Sequence, residues 1–329
     1  MSKNQRQSKV IPIFFAVDDN YAPYLAVALS SLREHASPDR EYRVYVLTEK
    51  LDELNRERLK ALSAENISVE FVSVAERLCR FGEKLHLRDY YSKATYYRFF
   101  IPELFPQYDR CLYLDCDILL LRDAAELFGA DLRQSWLAAV RDDVVSGNEV
   151  FEAYTERVLG VPSRRYFNAG ILVMNLKAMR AVSIENRFLE LIARRQYTVA
   201  QDQDYLNVLC AGHVHWLDGR WNATAFPDAE KGRKPFVVHF KLNFKPWHYS
   251  GISFENLFWE HAKKTGYLEG LLVELSGYGE ELKARDSEQY EGLVALALKE
   301  TVEHIEQSGM TNEHDIIPML WRSKYGEIA

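Results

Sequence analysis

The stretch Tyr113 to Arg122 reads YLDCDILLLR. Two carboxylates, Asp115 and Asp117, stand one residue apart between apolar runs. Charge in apolar surroundings is costly unless something pairs with it, so the pair predicts a ligand. At the mouth of a buried strand, two such acids can turn toward one hard divalent cation, which takes oxygen ligands. Two chemistries use this arrangement. In one, the first Asp is a covalent nucleophile for phosphate, which makes Asp115 the attacking group of a phosphohydrolase. In the other, the pair holds a metal on the diphosphate of a nucleotide sugar, and the metal is the Lewis acid for a departing nucleoside diphosphate. The second chemistry demands further parts: a nucleotide pocket, another metal ligand and a cation for the phosphates.

The elements that must position these groups can be read from the apolar periodicity. Residues 10–17, VIPIFFAV, form a continuous apolar run, the signature of a strand covered on both faces. YLAVALSSLREHA follows at helical spacing. YRVYVLT is a second strand, LDELNRERLKALSAE an amphipathic helix, and ISVEFVSV a third strand. This alternation predicts a mostly parallel sheet with right-handed crossovers. Ligands bind such sheets beyond the carboxyl ends of the strands, which places Asp18, Asp19 and Asn20 where a ligand sits. RCLYLDCD predicts the strand that ends in Asp115 and Asp117. SWLAAVRDD predicts another, ending at Asp142 and Asp143, and YFNAGILVMNL a further one with Asn168 and Gly170 at its entry. QDQDYLNVLCAG reads as a helix, and PFVVHFKLNFKPWHY as a strand followed by a cationic, aromatic loop. After Ser250 the pattern turns helical, with apolar residues at i, i+3, i+4 and i+7. The expected organisation is a catalytic domain over 1–250 and a helical appendage over 251–329.

Charge and cysteine usage narrow the function classes. The chain has 329 residues and a net charge of −7. Residues 251–329 carry 7 Lys and Arg against 15 Asp and Glu, a net of −8, which leaves +1 for the rest. A basic nucleic-acid footprint is absent, and the acidic tail suits anionic lipid poorly. Cys79, Cys111, Cys116 and Cys210 form no zinc-type spacing and read as free thiols of a reducing compartment. The polar start MSKNQRQSK leads only into a short strand, too short for a membrane span. A cytoplasmic protein is expected.

Five blocks in order resemble glycosyltransferase family 8, retaining enzymes that include bacterial lipopolysaccharide galactosyltransferases and glycogenin. FFAVDDNYAPYLAVALSSL resembles the family's opening segment, and YYRFFIPELFPQYDRCLYLDCDILLLRD its arginine-plus-DxD block. YFNAGILVMNL and QDQDYLN are similar to its sugar-site blocks, and HF…KPW to its closing block. The resemblance implies a GT-A, Rossmann-like fold of α/β class with a mostly parallel central sheet and a C-terminal helical appendage. It implies a hexosyltransferase moving a hexose from a UDP-sugar, with UDP-galactose or UDP-glucose favoured, to a saccharide or glycolipid hydroxyl by front-face transfer. By the same resemblance, Ala16, Asp18 and Asn20 hold the nucleoside. Asp115, Asp117 and His239 bind Mn²⁺ or Mg²⁺, and Asp115 also reaches the ribose. Lys245 pairs with the diphosphate, Arg98 lies near donor sugar and phosphate, and Asp142, Asn168, Asp202 and Gln203 surround the sugar. Gln203 and Asp202 are the candidate catalytic groups. Asp143 and Asp204 read as structural acids, and Trp247, His248 and Tyr249 are offered as an acceptor wall. The family's closing block is similar to H-x-x-G-x-x-K-P-W, whereas Leu242 stands here in place of the glycine. A haloacid-dehalogenase-like phosphohydrolase and a UDP-sugar-binding protein without transfer are the alternatives. A homodimer and peripheral contact with the inner membrane face stay open.

Overall fold

The computed structural model describes residues 10–79, 93–227 and 229–308. Residues 309–329 of the expected helical tail and the polar start lie outside them. The first apolar run forms β1 (Val10–Ala16), followed by α1 (Ala22–His35), β2 (Glu41–Thr48), α2 (Glu53–Lys60) and β3 (Ile67–Ser73). β1 and β2 pair in parallel, as do β2 and β3. Side chains alternate along β1. Ile11, Ile13 and Phe15 join one apolar cluster with α1, while Phe14 joins a second cluster with Tyr45, Phe99 and Phe100. Coverage on both faces is why the run is apolar without alternation. Pro23 in the first turn of α1 suits a position where no N–H is needed.

The sheet continues through β4 (Cys111–Leu114), β6 (Leu137–Ala139), β7 (Ile171–Met174) and β8 (Val214–Trp216), in the order β3-β2-β1-β4-β7-β6-β8. β7 runs antiparallel to both of its neighbours, and the remaining pairings are parallel. A smaller sheet of β5 (Ile118–Leu120), β9 (Ala223–Thr224) and β10 (Val237–His239) lies beside it in the order β5-β10-β9. Asp115, Cys116 and Asp117 are the link between the end of β4 in the large sheet and the start of β5 in the small one.

Four further helices complete the frame around the site: α3 (Glu149–Arg157), α4 (Ile184–Arg194), α5 (Asp202–Leu209) and α6 (Glu255–Ala262). Beyond them come α7 (Leu268–Gly277) and the 29-residue α8 (Glu280–Ser308). α8 packs on α3, where the rings of Phe151 and Tyr290 meet edge to face at 6.4 Å. Thr198 Oγ1 donates to Glu300 at 2.9 Å. Among the described residues no helix is long and apolar enough to cross a membrane.

Candidate active site

Strand register brings the acids and the histidine together. In the antiparallel β4–β7 pair Leu114 faces Ile171, so the next residues, Asp115 and Gly170, also lie side by side. The Asp115 N–H donates to the Gly170 carbonyl at 2.7 Å. In the antiparallel β5–β10 pair Ile118 faces His239, which sets Asp117 beside Phe240, whose N–H donates to the Asp117 carbonyl at 2.9 Å. Two residues in the link thus meet one residue from each returning strand. Ligand atoms of Asp115, Asp117 and His239 all lie within 4.8 Å of one another. His239 Nε2 is 3.1 Å from Asp117 Oδ1 and 3.9 Å from Asp115 Oδ2.

The imidazole is aimed by a residue that sequence reasoning missed. Asn222 Oδ1 sits 2.9 Å from His239 Nδ1. The Asn222 amide is oriented by its own Nδ2, which donates to Asn168 Oδ1 at 2.8 Å. An acceptor at Nδ1 keeps the proton there and turns the Nε2 lone pair toward the carboxylates, the tautomer a metal ligand requires. Asn222 lies 17 residues before His239 in an unremarkable WNATA stretch, without a spacing signal.

The charge balance favours ionised acids. Burial opposes the charge on Asp117, but the Lys245 cation and the neighbouring His239 imidazole outweigh it and hold the carboxyl well below the usual carboxylate range. Lys245 Nζ forms a close ion pair with Asp117 Oδ2. Two oxygens and one imidazole nitrogen, with room between them, fit a hard or borderline divalent cation. Gly170 keeps that room open, because a Cβ there would lie 2.5 Å from Asp115 Oδ2 and closer still to the His239 ring.

Arg98 is only 3% exposed. Its Nη2 is 3.1 Å from Asp115 Oδ1, its Nε 3.1 Å from Asp202 Oδ2, and its Nη1 donates to the Ala169 carbonyl. The guanidinium lies 4.2 Å over the Tyr113 ring. Burial works against its charge, and Asp202, Tyr113 and Asp115 more than offset it. Burial raises Asp202 to about 7 despite Arg98. Arg98 is therefore a buried brace that fixes Asp115.

A second network holds the opposite wall. Asp142 Oδ1 accepts from the N–H groups of Val144 and Val145, at 2.9 and 3.1 Å. Asp142 Oδ2 accepts from Asn168 Nδ2 at 3.0 Å and Gln203 Nε2 at 3.1 Å. Gln203 Oε1 accepts from the Ala169 N–H at 2.9 Å, so both ends of the amide are engaged. Asp204 stands in the first turn of α5 and is structural. It is fully buried and accepts from Tyr166, Tyr154 and the Ala200 N–H at 2.6 to 2.9 Å, and burial raises it to about 6. Asp143 pairs with Lys241 and Thr224, a structural role.

One cleft joins these groups. Its walls include Ala16, Asp18, Arg98, Asp115, Asp117, Asp142, Asn168, Asp202, Gln203, His239 and Lys245. Asn20 is exposed in the turn after β1 and is not part of the wall. Cys116 Sγ donates to the Ala16 carbonyl at 3.3 Å, away from the two carboxylates beside it. Trp247, His248 and Tyr249, offered as an acceptor wall, do not line the cleft. Trp247 is buried and stacks on Tyr24 at 3.9 Å, while His248 stacks on Tyr278 at 3.7 Å. Phe151 and Tyr154 of α3 and Leu293 of α8 line it instead.

The model of the family described as Glycosyl transferase family 8 matches residues 12–251. The chain belongs to glycosyltransferase family 8. It is a hexosyltransferase with the GT-A architecture. Among family relatives, a putative glycosyltransferase of Haemophilus influenzae is 31% identical over 263 residues, which cover 79% of this chain and 76% of that protein. The lipopolysaccharide 1,3-galactosyltransferase of Salmonella typhimurium is 26% identical, covering 72% of each. The solved structure of the galactosyltransferase LgtC with donor and acceptor sugar analogs superposes with a TM-score of 0.64. That match is 30% identical and covers 78% of this chain and 96% of LgtC. Family membership sets aside both the phosphohydrolase and the binding-only alternatives.

Proposed function

We propose that this enzyme transfers a hexose, galactose or glucose, from its UDP derivative to a hydroxyl of a saccharide acceptor, with retention at the anomeric carbon. The observation that carries this reading is the convergence of Asp115, Asp117, His239 and Lys245 in one cleft that Ala16 and Asp18 also line. Asp115, Asp117 and His239 would hold Mn²⁺ or Mg²⁺, which supplies Lewis acidity to the diphosphate when bound. Lys245, freed from Asp117, pairs with the charge that grows on the leaving diphosphate. Arg98 keeps Asp115 in place, and Asn222 holds His239 in the ligating tautomer.

Retention needs either a covalent intermediate on a carboxylate or attack from the face the leaving group departs. The candidate nucleophiles are poorly suited. Asp202 is almost wholly buried and paired with Arg98, Asp142 is saturated with hydrogen bonds, and Gln203 is a neutral amide. A same-face displacement fits this wall. The bond from the anomeric carbon to the diphosphate oxygen breaks, the acceptor oxygen bonds to that carbon, and its proton passes to the departing diphosphate. Gln203 lines the wall with its carbonyl oxygen already accepting from Ala169 N–H, leaving its second lone pair for the sugar.

A panel of UDP-galactose, UDP-glucose and their N-acetyl forms tests this, read by UDP release with Mn²⁺, Mg²⁺ or EDTA. One hexose donor should be hydrolysed slowly, only with metal, and the sugar should first appear with retained configuration. If UDP with Mn²⁺ does not raise the melting temperature and no donor is turned over, the reading is wrong.

A further inference from the structure

The matched family span ends at residue 251, yet helices beyond it grip the loop that carries Lys245. In α8, Asp286 Oδ2 accepts from the hydroxyls of Tyr249 and Tyr278, at 2.7 and 2.8 Å. The Asp286 carbonyl accepts from Asn243 Nδ2 at 3.3 Å. Asn243 and Tyr249 flank Lys245 on either side. The N–H groups of His248 and Tyr249 both donate to the Lys245 carbonyl, at 3.0 and 2.9 Å. One residue of α8 is therefore linked through Tyr249 to the Lys245 main chain. α7 takes the other side of the loop. Glu274 Oε1 accepts from Tyr24 at 2.6 Å and lies 2.9 Å from His248 Nε2.

The arrangement has a physical purpose. A lysine ammonium is a point charge on a flexible four-carbon stem, so where it can act depends on where its main chain is held. Ordering a loop at the moment of binding weakens the affinity, and ordering it beforehand avoids that loss. We propose that Asp286 is a positioning residue for Lys245: α8 sets the loop in advance and so sets the affinity of the cleft for a nucleoside diphosphate. The inference rests on the diphosphate role of Lys245 stated above.

The test uses the full chain and measures UDP affinity at saturating Mn²⁺, well below the melting temperature of each variant, together with Mn²⁺ affinity without nucleotide. Asp286→Ala and the milder Tyr249→Phe should each raise the Kd for UDP five- to tenfold and leave the Kd for Mn²⁺ within twofold. The double variant should be no worse than Asp286→Ala, because both break one link. Asp286→Asn, whose amide oxygen still accepts from Tyr249, should restore most of the affinity. Tyr278→Phe keeps the ring on His248 and should change UDP affinity less than twofold. An Asp286→Ala variant with a lowered melting temperature but an unchanged Kd for UDP would reduce Asp286 to a structural role and overturn the proposal. Absence of UDP binding by the unaltered enzyme with Mn²⁺ would overturn the diphosphate reading, and this inference with it.

Discussion

Gly170→Ala is the sharpest test of the metal cradle. The added Cβ would lie 2.5 Å from Asp115 Oδ2 and 3.1 Å from Asn168 Oδ1, with the His239 ring carbon closer still. Against the 3.4 Å at which ordinary contact begins, the Asp115 contact is about 0.9 Å too short. The main chain has little freedom to retreat, because the Gly170 carbonyl accepts from Asp115 N–H and its N–H donates to Asn168 Oδ1 at 3.0 Å. The side chains must give way, and both nearest ones belong to the proposed metal site. Ligand distances must hold to about ±0.2 Å, so the displacement removes one ligand of three. Second-sphere changes alone cost about 10–100-fold in metal affinity, and a lost ligand should reach at least about 100-fold, roughly 2.7 kcal/mol. Overpacking adds about 1–3 kcal/mol of destabilisation, or about 2–4 °C in a chain of this size. Calorimetric titration with Mn²⁺ and thermal melts followed by circular dichroism measure the two effects separately. Gly219→Ala, where the new methyl meets nothing within 4 Å, is the control. If Gly170→Ala bound Mn²⁺ within threefold of the unaltered enzyme, the three residues would not be the metal site.

Two further outcomes follow from the electrostatics. Lys245→Ala should move two affinities in opposite directions: Mn²⁺ alone should bind several-fold tighter, because the cation held on Asp117 Oδ2 is gone, while UDP with Mn²⁺ should bind about tenfold more weakly. Parallel titrations decide it, and two losses of equal size would refute the competition. Asp204 has a folded value of about 6, raised from 3.8, so its ionisation destabilises the fold as pH rises above the unfolded value, an effect complete above about 6. Asp204→Asn keeps one oxygen for the Ala200 N–H but turns its amide nitrogen toward the Tyr166 hydroxyl, which donates to the carboxylate in the native protein, so the variant should be less stable at every pH. Its deficit should nonetheless shrink by about 2 kcal/mol between pH 4.5 and pH 7, as urea unfolding at the two pH values would show. A deficit independent of pH would mean that Asp204 is not the buried acid described.

The parts of the site on continuous strands were legible in the sequence. Apolar runs ending in acid gave β1, β4 and β6 with the residues at their mouths, because strand ends are where such a sheet exposes its ligand groups. Block order alone linked Asp115 and Asp117 to His239, more than a hundred residues away. Strand direction has no local signal, so the antiparallel course of β7, which puts Gly170 against Asp115, was not readable. Nor was the amide of Asn222, since its role exists only through the ring it orients. Trp247, His248 and Tyr249 carry the composition of a sugar platform, but aromatic rings pack into a core by the same contacts. Only the fold shows that Tyr24, Glu274 and Asp286 take them.

Leu242 joins these strands of reasoning. At the position of the family glycine it keeps a left-handed backbone, with φ of 51°, a conformation that costs a non-glycine residue about 1–2 kcal/mol. Such a residue persists only where its surroundings over-determine it. Here they do: the Phe240 N–H is tied to Asp117, the Phe244 N–H donates to the Lys241 carbonyl at 3.1 Å, and Asn243 is held by Asp286. The turn between His239 and Lys245 is thus imposed from both ends and from α8, and Leu242 lines the cleft together with Lys241 and Lys245. A glycine would take this turn without help. With leucine in its place, the helices beyond the family span do the holding, and on the diphosphate role proposed for Lys245 α8 belongs to the donor site although its only cleft-lining residue is Leu293.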